Sequence, residues 1–424
     1  MEEDIQCKPP EIREKSSEML KHLILLSILV TAYSYGCNKR EYPDGLVCVC
    51  NSTYCDTVQE LDVSQGKYQI YSTSKNNPGF NSVTGFSHVK EAATTVKVDS
   101  ATTHQNVIGF GGAFTDSTGI NIKSLPEEVQ EKLINSYFSK SGIEYNLCRV
   151  PMGGTDFSTR GYSYDDVEGD TTLEHFSLQT EDIEYKIPYI LKAQQLNSDL
   201  KLFSSVWSGP RWMKTNNDWP GIGWLKDEYY QLWADYFLKF FDEYEKNNIT
   251  FWGLTPKTNQ LMVSFQNRFR RLMLWNKWIG ENLGPTIRQS SHRDIKIILH
   301  DDNRILISLL YKLLENPVTL SYADGVGFHW YTDSFIPASV ITTVKSYKED
   351  LFILATEASN GALAMLGLDE SVMKGSWTRG ANYATSIFDN LENDASGWVD
   401  WNMALDETGG PTYINNNIDS PHTG

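Results

Sequence analysis

The sequence has few basic residues and no long apolar run. Lys and Arg number 37 against 54 Asp and Glu, so the formal charge is −17 over 424 residues. Nucleic-acid binding usually requires a basic patch or stripe, and this deficit therefore argues against a nucleic-acid partner. Apart from one short run near the N-terminus, no segment is apolar enough to cross a bilayer. The sequence also contains no internal repeat and no long low-complexity tract.

The composition is otherwise that of a folded protein. Apolar residues make up 40% of the chain, which is enough for a core and excludes general disorder. Aromatic residues reach 12%, including 12 Trp and 22 Tyr. Such rings often stack on sugar faces, although ordinary packing explains many of them. The length favours one large barrel with an accessory module over many small domains.

The first 36 residues have the pattern of a targeting segment. Lys21 precedes the short apolar run 23–30, and small residues follow it. This run is too short to span a membrane, so we expect a signal peptide cleaved before Cys37. Residues 1–18 are polar and acidic, and Met19 makes a more typical start for such a signal.

Four of the six cysteines lie close together in the sequence. They are Cys37, Cys48, Cys50 and Cys55. Three connectivities are possible, and we favour Cys37–Cys48 with Cys50–Cys55. Zinc is the alternative, but no His lies among them, and disulfides suit the secretory pathway. Cys148, within an apolar strand pattern, is expected to be an inert core thiol.

Two glycosylation sequons fit the same pathway. Asn51 begins Asn-Ser-Thr and Asn248 begins Asn-Ile-Thr. They are meaningful only in a chain that enters the secretory pathway. Because signal, disulfide and sequon patterns coincide, we expect a protein of that pathway.

The order of elements predicts an α/β fold. Residues 37–106 are rich in turns and strands, and they form a predicted disulfide-linked β module. From residue 107 strands alternate with helices, which is typical of a (β/α)₈ barrel over 107–424. A capping box from Ser124 to Glu127 predicts one helix start, and apolar spacing predicts a helix over 228–244. The eight predicted strands are 107–111, 145–151, 201–207, 251–255, 295–300, 325–331, 351–357 and 397–402.

Polar and aromatic side chains gather where these strands end. In barrels of this type the active site lies at the C-terminal strand ends. Any one of these residues alone could simply pack or cap a strand end, but their recurrence favours a binding site. The set comprises Asp116, Arg149, Asp156, Trp207, His329, Tyr331, Glu357, Asp400, Trp401 and Asn402.

A series of motifs runs from Cys37 to Pro421. They are Val47-Cys-Val-Cys-Asn-Ser-Thr-Tyr-Cys55, Gly109-Phe-Gly-Gly-Ala-Phe-Thr-Asp116, Arg149-Val-Pro-Met152, Asp156-Phe-Ser158, Trp212-Met-Lys-Thr-Asn216, His329-Trp-Tyr331, Thr356-Glu-Ala358, Gly397-Trp-Val-Asp-Trp-Asn402 and Asp419-Ser-Pro421. Each motif is weak alone, but together and in order they are specific. In this series the chain resembles the lysosomal glucosylceramidase (acid β-glucosidase) family.

The resemblance implies a retaining β-glucosidase that needs neither a metal nor an organic cofactor. Such enzymes use two carboxyl groups about 5–5.5 Å apart, one as nucleophile and one as acid/base. The family's nucleophile falls on Glu357, and Arg149 and Tyr331 are expected to orient it. The residues expected to bind the sugar, or to lie beside it, are Asp156, Trp207, His329, Trp401 and Asn416.

The acid/base motif is disrupted. The family carries Asn-Glu-Pro after the fourth strand, whereas this chain has Thr258, Asn259 and Gln260. Asn259 stands at the acid/base position, and an amide has no proton to shuttle. Residues 256–280 also hold five basic and no acidic residues. A frame slip explains both features, since synonymous codons reread one nucleotide out of frame give Glu-Asn-Glu-Pro. An evolved substitution is the alternative.

The family continues beyond Asp419-Ser-Pro421 with a last barrel helix and further strands of a β-sandwich. We therefore expect the flanking β-sandwich of this chain to be incomplete. The resemblance further implies hydrolysis of glucosylceramide at a membrane surface in the lysosomal lumen, with a saposin-type activator. Secretion is the alternative location. Two other functions stay open: a glycolipid-binding relative without turnover, and a β-glycosidase for another sugar.

Overall fold

The computed structural model describes residues 38–58, 61, 63–86, 99–219, 223–256, 274–361 and 370–413. Two small antiparallel sheets come first in the chain, and a closed barrel of eight parallel strands follows. The predicted (β/α)₈ barrel is confirmed. None of the helices in the described ranges is both long and apolar enough to cross a membrane.

The barrel strands follow one another around the ring in chain order, and β12 closes on β5. All eight begin within two residues of the predicted starts. Their bounds are β5 Gly109–Ala113, β6 Leu147–Met152, β7 Lys201–Val206, β8 Gly253–Thr255, β9 Lys296–Asn303, β10 Gly325–His329, β11 Phe352–Glu357 and β12 Ala395–Asn402.

Helices alternate with the strands and cover the outside of the barrel. Those with both ends inside the described ranges include α1 Asp116–Ser124, α2 Glu127–Phe138, α3 Ile187–Leu196, α4 Tyr230–Glu245, α5 Gly284–Gln289, α6 Ile307–Leu314, α7 Pro317–Tyr322, α8 Ser339–Thr342 and α9 Trp377–Leu391. In α4 the apolar residues recur every three or four positions, and Trp233, Phe237 and Phe240 are buried against the barrel core.

The interior of the barrel is filled in layers because side chains alternate along each strand. One layer consists of Leu147, Phe203, Ile298, Leu354 and Val399. Two residues further along their strands come Arg149, Ser205 and Trp401, which are buried above that layer. Because residues two apart on a strand point to the same side, the apolar layer forms the floor, and a polar and aromatic layer lies above it at the C-terminal strand ends.

The N-terminal module consists of two hairpins. Strands β1 (Lys39–Tyr42) and β2 (Gly45–Cys48) form one, and β3 (Lys67–Ser74) and β4 (Asn77–Phe86) form the other. Gly45 bridges to Ser376 just before α9, which ties the first hairpin to the barrel. The predicted division of the chain at residue 107 stays a prediction.

The cysteine pattern is partly visible in this module. Cys50 and Cys55 form the expected disulfide. Cys48 is also disulfide-bonded, but Cys37, its predicted partner, lies outside the described residues. Cys148 is a buried free thiol, and burial raises its pKa to about 12.

The predicted capping box is wrong. The N-cap of α2 is Pro126, with no side-chain cap. Ser124 instead closes α1, where its hydroxyl donates to the Asn121 carbonyl at 2.7 Å. The hydroxyl is thus used by the preceding helix, because α1 and α2 are separated by only two residues.

Candidate active site

Glu357 lies at the C-terminal end of β11 and faces the barrel mouth. Glu357 as a whole is 6% exposed, and its carboxylate accepts two hydrogen bonds. Arg149 Nη1 donates to Oε2 at 2.6 Å, and the Tyr331 hydroxyl donates to Oε1 at 2.8 Å. These two donors come from different parts of the chain and fix the carboxylate in one orientation. Burial, together with the charge of Glu357 and the hydrogen bond to it, raises the pKa of Tyr331 well above its ordinary value.

Arg149 is a buried cation with partners on every side. Its Nη2 donates to Asp301 Oδ2 at 2.7 Å, and its Nε donates to Ser205 at 2.9 Å. The guanidinium carbon lies 4.6 Å from the centre of the Trp207 ring and 5.2 Å from that of Trp401. Because all of its surroundings are fixed, this arginine is a rigid support for the Glu357 carboxylate.

Asp301 is a site residue that the sequence patterns did not indicate. Besides Arg149 it accepts a hydrogen bond from Thr255 at 2.7 Å. His329 Nε2 lies 3.0 Å from its other oxygen, and His329 Nδ1 lies 3.6 Å from Glu357. Thr255 and Ser205 were missed as well. The one sequence signal for Asp301 is its position, because it follows the predicted fifth strand directly.

Irregular strand pairing brings the carboxylates of Asp301 and Glu357 to the mouth of the barrel. The register of β9 against β10 shifts so that Gly327 pairs with His300 and Phe328 with Asp302, and the pairing skips Asp301. His300 and Asp301 adopt positive φ angles of 75° and 52°. A second shift leaves Thr356 unpaired and places Glu357 opposite His329. Such bulges re-aim side chains and are frequent beside active sites.

Paired indoles form one wall of the mouth. The rings of Trp207 and Trp401 are stacked, with 4.9 Å between centroids and 10° between planes. Phe157 packs edge-on against Trp401 at 6.1 Å. These rings, together with Ala113, form a small aromatic cluster above the polar layer, and an aromatic wall of this kind suits the apolar face of a sugar.

Asp156 is the second acidic group near Glu357. Burial and the charge of Glu357 raise its pKa to about 7, while a hydrogen bond from Trp207 acts in the opposite direction. Its Oδ1 is buried and has no hydrogen-bond partner among the described residues. A buried oxygen without a partner is costly unless a ligand satisfies it, so Asp156 is suited to accept a hydroxyl group.

The structure therefore brings together seven of the predicted site residues. They are Arg149, Asp156, Trp207, His329, Tyr331, Glu357 and Trp401. The predicted roles of these residues stay predictions. Asn259, at the acid/base position, and Asn416 lie outside the described residues. The sequon residues Asn51 and Asn248 are both exposed.

The arrangement suits attack by an oriented carboxylate. Glu357 and Asp301 both accept from Arg149, so the negative charge at the floor of the mouth is balanced by one guanidinium. Asp301 is fully engaged by Arg149, Thr255 and His329. Of the two, Glu357 is the carboxylate at a strand end that also acts electrostatically on Asp156, beside the indole of Trp207.

Residues 107–423 match the model of the glycosyl hydrolase family 30 TIM-barrel domain. The chain is 40% identical over 421 residues to putative glucosylceramidase 4 of Caenorhabditis elegans, covering 96% of this chain and 80% of that protein. It is 37% identical over 392 residues to mouse lysosomal acid glucosylceramidase, covering 89% and 75%. The crystal structure of SrfJ from Salmonella typhimurium is similar, with a TM-score of 0.69, 25% identity and coverage of 83% and 77%. The chain therefore belongs to glycosyl hydrolase family 30 and, within it, to the glucosylceramidase family.

Proposed function

We propose that this chain binds a β-glucoside in the barrel mouth and that Glu357 attacks the anomeric carbon. The observation that carries the proposal is the Glu357 carboxylate held by Arg149 and Tyr331. In this reaction the bond between carbon one and the leaving oxygen breaks as the bond to Glu357 forms. Water then hydrolyses the glycosyl-enzyme with overall retention of configuration.

The walls of the mouth support a sugar as the ligand. The stacked indoles of Trp207 and Trp401 offer an aromatic face to the ring. The unpartnered oxygen of Asp156 is available to a sugar hydroxyl. Below about pH 7 its raised pKa favours the protonated acid, which can donate a hydrogen bond as well as accept one.

The substrate that we propose is glucosylceramide, cleaved to glucose and ceramide. Relatives named glucosylceramidase support this choice. Phe335, four residues beyond Tyr331, is 74% exposed in the loop after β10 and provides an apolar contact for an alkyl chain or a membrane. The proposal extends to a saposin-type activator at that membrane, and to the lysosomal lumen rather than secretion, in line with the name of the mouse relative.

The identity of residue 259 limits the reaction. Without a carboxyl group at that position the leaving oxygen of ceramide departs unprotonated, which removes about 10²–10⁴-fold in rate. A leaving group that is stable as an anion does not need this proton. The second candidate function is therefore a glycolipid-binding protein with little turnover, and Asn259 is the observation that favours it.

A mechanism-based label tests both candidates. The full chain is incubated with 2,4-dinitrophenyl 2-deoxy-2-fluoro-β-glucoside, and the modified peptide is identified by mass spectrometry. We expect covalent labelling of Glu357, and no labelling in Glu357→Gln. Release of ceramide from glucosylceramide vesicles at acidic pH then distinguishes an enzyme from a binding protein. A folded chain that is not labelled, or that is labelled elsewhere, would refute the assignment of the nucleophile.

A further inference from the structure

A second cluster of ligating side chains lies at the opposite end of the barrel from Glu357. Asp242 and Glu245 occupy the last turn of α4, three residues apart on one face. His292 lies in the turn that precedes β9, where the chain enters the barrel from below. One ligand atom from each of the three residues lies within 4.8 Å of those of the other two.

The histidine is fixed while the carboxylates can adjust. His292 is 12% exposed in its side chain, and its ring lies against Phe241 at 5.6 Å between centroids. Its Nε2 lies 2.8 Å from Asp242 Oδ1 and 4.0 Å from Glu245 Oε2. Asp242 and Glu245 are 50% and 58% exposed. Small rotations of these two side chains therefore suffice to change the distances between the three ligand atoms.

The charges around the cluster favour a cation. Lys246 is paired with Glu243 at 2.6 Å and also interacts with the charge of Asp242, so this one ammonium offsets only part of the charge of the three carboxylates Asp242, Glu243 and Glu245. Lys239, one turn earlier, is the remaining lysine at this open surface. The cluster also lies at the C-terminus of a helix of 16 residues, where the backbone carbonyls contribute partial negative charge.

We propose that Asp242, Glu245 and His292 bind a divalent transition-metal ion, with Zn²⁺ as the preferred ion. One imidazole and two carboxylates form a ligand set that Zn²⁺ accepts at about 2.0–2.2 Å, and water completes the tetrahedron. The ion links the end of α4 to the turn before β9. The site is remote from the sugar pocket, so it does not depend on the proposed function.

The simpler alternative is a hydrogen-bonded His–Asp pair. In that case Asp242 and His292 interact with each other and Glu245 takes no part. The chain contains a matched pair of that kind, since His175 Nδ1 lies 2.9 Å from Asp170 Oδ2. His175 belongs to no three-residue cluster of ligand atoms in the described ranges. It therefore serves as the control for binding to an isolated pair.

Calorimetric titration of the full chain with Zn²⁺ tests the proposal. We expect one site that weakens at least tenfold in His292→Ala and at least fivefold in Glu245→Gln, and that is unchanged in His175→Ala. With Co²⁺ in place of Zn²⁺, d–d absorption of a four-coordinate ion should appear in the wild type and disappear in His292→Ala. Because the cluster is at the surface, circular dichroism should show that these variants fold.

Three results would overturn the proposal. The first is the absence of Zn²⁺ binding to the folded wild-type chain. The second is an affinity unchanged in both His292→Ala and Glu245→Gln, which would place the ion elsewhere. The third is an affinity lost in His292→Ala but unchanged in Glu245→Gln, which would leave only the His–Asp pair. Labelling of Glu357 should be the same with and without Zn²⁺, since the two sites lie at opposite ends of the barrel.

Discussion

Arg149 donates to Glu357 across 2.6 Å in a part of the barrel where both side chains are almost fully buried. The same guanidinium donates to Asp301 at 2.7 Å and lies against two indole faces. A single cation therefore supports the proposed nucleophile from below. Ser205 and Asp301 accept hydrogen bonds from this guanidinium, and the Thr255 hydroxyl lies 2.7 Å from both of them, so these three residues hold Arg149 in place.

Replacing Arg149 by Met should slow labelling of Glu357 by the fluoro-glucoside about 10²–10³-fold, the effect of removing one preorganised donor from an active site. The loss has two causes, because Glu357 loses its donor and Asp301 loses its counter-charge. The rate of covalent labelling measures it by mass spectrometry. Arg160→Met is the matched control, since Arg160 forms its ion pair with Glu181 and is 48% exposed. Equal labelling rates in wild type and Arg149→Met would show that the contact is only structural.

Asp301→Asn tests whether Asp301 positions the site. The amide is of similar size but is uncharged, so Arg149 loses one of its two counter-charges, and an NH₂ group turned toward Arg149 could not accept its hydrogen bond. We expect the labelling rate to fall about tenfold to 10²-fold, with a smaller change in the concentration for half-maximal labelling. Asp302→Asn is the control, because Asp302 Oδ1 accepts from the Asn303 amide. If both variants slow labelling equally, the slower rate results from a general disturbance of β9 and not from the contacts of Asp301.

Asn259→Glu should restore proton transfer to the leaving oxygen. We expect hydrolysis of a glucoside with a poor leaving group to rise about 10²–10⁴-fold, while the dinitrophenyl glucoside changes little. The ratio of the two rates is the diagnostic measurement. Azide should accelerate the second step in the unmodified chain, because an anion attacks the glycosyl-enzyme without a general base. If Asn259→Glu leaves the ratio of the two hydrolysis rates unchanged, the segment around residue 259 lacks other features that proton transfer needs, in addition to the carboxyl group.

The barrel could be predicted from the sequence because each buried strand is a short apolar run between helical patterns. Arg149, Trp207 and Trp401 could be assigned to the mouth because they end such runs. Asp301 could not. From Ile298 in the floor layer, strict alternation points His300 inward and Asp301 outward. The shifted register at His300 reverses that order, and no local propensity marks a bulge at a pair of non-glycine residues with positive φ.

The stability of the fold should decrease as the pH rises toward neutrality. Burial raises the pKa of Asp156 and Asp400 to about 7, and that of Asp165 to about 6, from an ordinary value of 3.8. At a pH between the ordinary pKa and the raised pKa of each group, the folded chain holds more protons than the unfolded chain, so protonation stabilises the fold. That stabilisation is complete below about pH 4 and is lost as the pH passes through about 6–7.

Thermal unfolding checks this dependence. From these three groups alone we expect a midpoint several degrees higher at about pH 5 than at about pH 8. The double variant Asp156→Asn and Asp400→Asn should flatten the profile, because an amide carries no charge at either pH. Asp199→Asn, in the exposed turn before β7, is the control and should leave the slope unchanged. A midpoint that rises from pH 5 to pH 8 would contradict the proton-linked stabilisation.

Lys186 should be among the residues most important for stability. Its ammonium is fully buried between Asp116 at 3.1 Å and Asp182 at 3.3 Å, and it donates to Tyr162 at 2.9 Å. Lys186→Met leaves two buried carboxylates without a counter-ion, which should cost about 3–5 kcal/mol of unfolding free energy. Lys192→Met removes only an exposed pair with Glu131 and should cost about 1 kcal/mol or less.

Addition of Asp116→Asn to Lys186→Met separates lost charge balance from lost packing. If uncompensated charge is the cause, the double variant should recover part of the loss, because only one buried carboxylate remains. The coupling between the two changes, measured by denaturant unfolding, should then be favourable and at least about 1 kcal/mol. If the two losses simply add, the ammonium acts through its packing and hydrogen bonds rather than through its charge. Burial raises the pKa of Asp116, and removing the lysine should raise it further, so the loss in Lys186→Met should shrink as the pH falls.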